Sequence, residues 1–217
     1  MEELSLLQQI AIYTIPVLFA IALHEVAHGW IASLRGDLTA KMLGRLSLNP
    51  IKHIDPIGTV VIPLVSLLLS GMLFGWAKPV PVNWNNLKNP KVDMALVAIA
   101  GPMANLLMAI LWAFMLKLGL MMQLAIPNVA PWLILTAKSG VEINCVFCVL
   151  NLLPIPPLDG GRILVALAPL KISQAISRIE PFGFIILIIL LVSGLLFNIL
   201  FPTINYLIGI ILLLAIL

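Results

Sequence analysis

Apolar residues run in long unbroken stretches along this chain, and polar ones gather in the short gaps between them. Five stretches, residues 4–34, 92–120, 131–153, 182–201 and 203–217, are long enough, or nearly so, to cross a bilayer as helices. A sixth, residues 57–74, has the length but is preceded by Pro56 and broken by Gly58, Pro63 and Gly71. Basic residues arbitrate its path. If 57–74 dips in and returns, one side of the membrane carries Arg35, Lys41, Arg45, Lys52, Lys78, Lys88, Lys91, Arg162, Lys171 and Arg178, and the other only Lys117. If it crosses, the two sides carry nearly equal charge. The bias of basic loops toward the cytoplasm therefore predicts a re-entrant 57–74, an outside N-terminus and a cytoplasmic basic face.

Two of the gaps read as extended backbone. Residues 39–49 (TAKMLGRLSLN) partly alternate apolar and polar positions around Leu43-Gly44, the pattern of a short β-hairpin. Residues 75–83 (GWAKPVPVN) place Pro79 and Pro81 two apart, which confines them to an edge strand or an extended loop. The expected fold is thus an all-α polytopic membrane protein, with about five transmembrane helices, a re-entrant segment and a short hairpin.

Composition narrows the class. Of 217 residues, 62% are hydrophobic and 10% charged, too apolar for a soluble domain. The net charge of +3 is scattered and makes no nucleic-acid patch. Met1-Glu2-Glu3 provides no basic leader, so the first stretch is read as a retained span, not a signal peptide. Cys145 and Cys148 lie in an apolar run and read as packing residues.

The first stretch contains His24-Glu25-Val26-Ala27-His28. Residues four apart share a helix face, so both imidazoles can reach one metal ion, with Glu25 beside them as a base for hydrolysis. Ionisable residues in a membrane-length apolar helix are functional candidates by default. A hydrolytic zinc needs a third protein ligand. His53, Asp37, Asp55, Asp93, Glu142, Asp159 and Glu180 are the choices. Asp159 stands out, because Pro154, Pro156 and Pro157 end the preceding helix and Gly160-Gly161 permit a tight, positive-φ turn. That context favours a ligand on an unwound segment over a simple helix N-cap. If 57–74 is re-entrant, the HExxH motif and Asp159 also fall on the same side.

HEVAH followed by NLLPIPPLDGG resembles the paired signatures of the site-2 protease family of intramembrane zinc metalloproteases. Gly101-Pro102-Met103-Ala104-Asn105 is similar to the family's element in the intervening helix, and GWAKPVPVN and LNPIKHIDPIG are similar to its compact members without PDZ or CBS domains. The resemblance covers residues from about 20 to about 165. It implies one Zn2+ held by His24, His28 and Asp159, Glu25 as the catalytic base, and Asn151 as an oxyanion donor. It implies Asn105 as a residue orienting substrate or a ligand. Interhelical hydrogen bonding is the structural alternative for both asparagines. The implied organisation is one membrane-embedded protease domain over 1–217, with a catalytic core over about 4–170 and accessory helices over about 182–217. The implied partners are a transmembrane protein substrate and the lipid bilayer, and the extended segments would hold an unwound substrate by strand addition. Asn144 reads as packing, Lys138 and Glu142 as an i, i+4 pair, His53 as loop-fixing, and Trp76 and Trp84 as interfacial anchors. A metal transporter and an inactive homologue are the alternative functions.

Overall fold

The computed structural model describes residues 5–61 and 78–216. Ser5 starts the first helix, α1 (Leu6–Leu34), through a capping box: its hydroxyl accepts from the Gln8 N–H, and the Gln8 side chain accepts from the Ser5 N–H. A helical turn, α2, spans Thr39–Met42. The two longest apolar partners of α1 follow as α3 (Pro90–Met122) and α4 (Ala130–Asn151). Then come α5 (Asp159–Leu167), α6 (Leu170–Ile179), α7 (Gly183–Val192) and α8 (Leu195–Ile216). Among the described residues, five helical stretches are long and apolar enough to cross a membrane: Leu7–Leu34, Pro90–Met122, Ala130–Asn151, Leu170–Val192 and Leu195–Ala215. The fourth joins α6 and α7 through a 3-10 turn at Glu180–Phe182.

Contacts give the directions. Arg35, just past α1, pairs with Asp93 in the first turn of α3 at 2.6 Å, so α3 runs antiparallel to α1. Along the α3–α4 interface Gly119 lies against Ile134, Trp112 against Gly140, and Asn105 against Asn144, a falling against a rising register. α4 is therefore antiparallel to α3 and ends where α1 ends. Small residues let these helices close up: Ala109, Ala113, Val141 and Cys145 form one buried cluster with Ile211 and Ala215 of α8. Cys145 and Cys148 are both buried and free, as packing residues would be.

Three expectations change. Among the described residues there is no strand, so the hairpin over 39–49 is not formed. The Asp37 carboxylate accepts from the Thr39 N–H and starts a helical turn instead, and Gly44 at φ 63° turns the chain out of it. The C-terminal break falls at Ser193-Gly194, not at Pro202. Gly194 takes φ 73°, which ends α7, while Pro202 lies inside α8, as membrane helices tolerate. Gly160 and Gly161 are helical, not positive in φ. They open α5, where an added Cβ would meet the Leu152 and Leu153 carbonyls at 2.3 Å and Pro156 N at 2.4 Å. Glycine is needed there for close backbone approach. Pro56–Val61 forms a π-helical turn that enters the 57–74 stretch, and the rest of that stretch, like Trp76, lies outside the described residues.

Candidate metal centre

The HExxH residues lie in the C-terminal half of α1, and Asp159 opens α5 just beyond the end of α4. These elements bring three donor atoms together. His28 Nε2 lies 3.0 Å from His24 Nε2, and Asp159 Oδ2 lies 3.2 Å from His24 Nε2 and 3.3 Å from His28 Nε2. Tetrahedral donors at ordinary Zn–N and Zn–O lengths are about 3.3 Å apart, so the spacing fits one zinc.

Proton bookkeeping leads to the same cation. His28 Nδ1 lies 2.7 Å from the Val97 carbonyl, which only accepts, and His24 Nδ1 lies 2.6 Å from Asn105 Oδ1, which also only accepts. Both protons of the neutral rings are thereby held on Nδ1, and both Nε2 lone pairs face Asp159. Asp159 Oδ2 is buried and has no hydrogen-bond donor among the described residues. Two imidazole lone pairs and a carboxylate oxygen converge, a set that a divalent cation satisfies.

Close approach of α3 makes the cluster possible. At Gly101 a Cβ would stand 2.4 Å from His28 Nε2 and 2.6 Å from His24 Nε2. Glu25 is half-buried beside the cluster, and its Oε2 accepts from the Val80 N–H at 2.6 Å. Val80 belongs to the proline-rich stretch, whose residues 78–83 form neither helix nor strand. Prolines at 79 and 81 leave the N–H groups of Lys78 and Val80 to fixed acceptors, the His53 carbonyl at 2.9 Å and Glu25. Arg45 reaches the Lys78 carbonyl at 3.0 Å, and buried His53 Nε2 donates to the Ser47 carbonyl, so His53 fixes the loop.

Of the two asparagines singled out from sequence, one reaches the cluster directly. Asn105 is fully buried, and its Oδ1 lies 2.6 Å from His24 Nδ1, the contact of a residue that orients a candidate ligand. Asn151, the last residue of α4, spends an amide hydrogen on the Phe147 carbonyl of its own helix. Among the described residues it makes no hydrogen bond to the cluster. Lys138 and Glu142 lie 4.0 Å apart, an exposed i, i+4 pair. Trp84 carries the Arg162 guanidinium 5.1 Å above its ring, which links the loop to α5. Sequence reasoning missed Asp37 as a structural hub. It is fully buried and accepts from Thr39, from the Asn83 N–H at 2.7 Å and from the Asn86 amide at 3.0 Å. The Asp-x-Thr spacing at a helix end was its only local signal.

Comparison with known proteins adds a second line. No family model matches the chain, and no solved structure matches it. It is 40% identical over 195 residues to a Bacillus subtilis (strain 168) protein named "Putative zinc metalloprotease YwhC", covering 88% of this chain and 84% of the relative. It is 32% identical over 179 residues to "Putative zinc metalloprotease Rip2" of Mycolicibacterium smegmatis, covering 81% of this chain and 64% of that protein. A Mycobacterium tuberculosis Rip2 is 27% identical over 189 residues. The chain belongs to the site-2 protease family of intramembrane zinc metalloproteases.

Proposed function

We propose that the chain hydrolyses peptide bonds in or beside transmembrane segments of membrane proteins, with His24, His28 and Asp159 holding one Zn2+ and Glu25 moving the proton. The observation that carries this reading is the convergence of three donor atoms, two imidazole Nε2 and a carboxylate oxygen, beside the Glu25 carboxylate of the same helix turn. When bound, zinc polarises the scissile carbonyl and lowers the pKa of water toward about 7. Glu25 then takes a proton from the attacking water and returns it to the leaving amine. The Val80 N–H, bonded to Oε2, orients that carboxylate. Asn151 has a second amide hydrogen beyond the one on Phe147, and it is the donor offered to the developing oxyanion.

The substrate is a short unwound stretch of a transmembrane segment. It would lie along residues 78–83, a non-helical stretch whose Val80 meets Glu25 at the edge of the centre. Orientation follows from charge and contact together. Arg35 and Asp93 meet, and the Lys88 N–H donates to the Arg35 carbonyl, so the connection from 36 to 89 leaves and returns at one end of the bundle. This supports a 57–74 segment that does not cross, with the basic loops and the centre at the cytoplasmic side and the N-terminus outside.

The test is metal content and cleavage of a transmembrane reporter in detergent, wild type against Glu25→Gln. One zinc per chain in both proteins and cleavage only in wild type is the expected result. Cleavage surviving Glu25→Gln or zinc chelation rejects the assignment.

A further inference from the structure

We infer that Asn144 is a positioning residue for the metal, acting through Asn105 to fix the tautomer of His24; this rests on the proposed ligand set. The two asparagines sit on facing turns of α3 and α4, and both are fully buried. Asn144 Nδ2 donates to the Gly140 carbonyl at 2.8 Å, so Asn144 Oδ1 must face Asn105. Asn105 Nδ2 donates to that Oδ1 at 3.0 Å and to the Ala20 carbonyl at 3.1 Å, which uses both its hydrogens. The remaining atom, Asn105 Oδ1, faces His24 Nδ1 at 2.6 Å and can only accept.

Each bond in the series has one permitted direction. Flipping Asn105 would set its oxygen against the Ala20 carbonyl and Asn144 Oδ1, two acceptor–acceptor contacts, and would turn its amide hydrogens toward His24. Flipping Asn144 would point its oxygen at the Gly140 carbonyl. The two flips are costly because the groups are buried away from water. The carbonyls of two helices therefore dictate, through two amides, that the His24 proton sits on Nδ1 and that its Nε2 lone pair is free for zinc. His28 reaches the same state through a single backbone carbonyl, Val97. His24 has a side-chain relay where His28 has main chain. Removing an outer partner of a metal histidine costs about 10–100-fold in affinity.

The experiment is a double-mutant cycle on zinc affinity, read by chelator competition in detergent with wild type, Asn105→Leu, Asn144→Leu and the double variant. Each single change is expected to weaken zinc binding about 10–100-fold. The double variant should be no weaker than Asn105→Leu alone, because Asn144 acts only through Asn105. The unfolding temperature of the zinc-free variants checks that the bundle persists. A second measurement needs no variant: nitrogen-15 spectra of imidazole-labelled, zinc-free wild type under alkaline conditions should place the His24 proton on Nδ1. A proton on Nε2, wild-type zinc affinity in Asn144→Leu, or additive effects in the double variant would overturn the relay alone. Failure of wild type to bind zinc would overturn the ligand set as well.

Discussion

Replacing Gly101 by alanine separates the site from the scaffold. The new Cβ would stand 2.4 Å from His28 Nε2 and 2.6 Å from His24 Nε2, where ordinary contact starts at 3.4 Å. One side must therefore yield by about 1 Å. Neither imidazole can yield freely, since their Nδ1 atoms are tied to Asn105 and Val97 at 2.6 and 2.7 Å. The donor spacing of 3.0 to 3.3 Å is then lost, and with it the fit to one ion. Misplacement of about 1 Å at a reacting centre costs about 100-fold in rate. Folding should change much less. Overpacking costs about 1–3 kcal/mol, and the better helix propensity of alanine returns about 1 kcal/mol of it. The assay is reporter cleavage and zinc stoichiometry beside thermal unfolding of the zinc-free protein. Gly209→Ala is the control, because no atom of the described residues lies within 4 Å of the added Cβ there. Full zinc and wild-type cleavage in Gly101→Ala would refute the close approach of α3 on which the site's geometry depends.

Other perturbations test the surrounding parts. Val80→Pro removes the N–H that Glu25 accepts; kcat should fall at least tenfold with zinc stoichiometry unchanged, and a wild-type kcat rejects the contact. Asp37→Asn should lower the stability of the loop end by about 1.5–3 kcal/mol, measured by denaturant or thermal unfolding. Burial would raise the Asp37 pKa, but donors from Thr39, Asn83 and Asn86 outweigh it and hold it below the ordinary 3.8. A depressed folded-state pKa stabilises above the unfolded value, so this contribution should be full near neutrality and vanish as acid carries the pH below about 3.8. In Asp37→Asn that acid-dependent loss should be smaller than in wild type. Cys145→Ala with Cys148→Ala should keep cleavage within about twofold, because the thiols only fill space between helices; loss of cleavage with intact folding would give them a function.

The parts of the site that could be read from sequence are those where chemistry restricts residue type. Few side chains bind zinc, and a spacing of four on a helix puts His24 and His28 on one face without knowledge of the rest. Asp159 was legible because prolines before it and glycines after it leave few conformations, although the glycines act by close packing and not by positive φ. Asn105 could be singled out but not assigned. An amide can serve a substrate or a ligand equally, and only the position of α3 against α1 decides. The hairpin failed because alternation over 39–49 is local, and Asp37 competes locally by capping Thr39. The misplaced C-terminal break has a similar cause: Pro202 and Gly194 both punctuate, but a helix in lipid absorbs proline more readily than it absorbs a residue at φ 73°.

The end of α1 explains why a loop so distant in sequence can serve Glu25. Arg35 and Asp37 lie two residues apart and face different partners: Arg35 ties to Asp93 at the start of α3, and Asp37 ties to Asn83 and Asn86 in the returning segment. Buried carboxylates are costly without donors, so the two acids commit the returning chain to this end of the bundle. Once Asn83 is pinned, Val80 lies three residues upstream on backbone that its flanking prolines keep extended, within reach of the HExxH turn. The side chain of Val80 then packs toward Gly29, where a Cβ would meet it at 2.7 Å. Orientation of Glu25 thus depends on a carboxylate, Asp37, that touches neither metal nor substrate. A change at Asp37 should consequently lower kcat through Glu25 while leaving zinc bound. Loss of zinc together with activity in Asp37→Asn would instead mean that the clamp supports the whole centre and not the base alone.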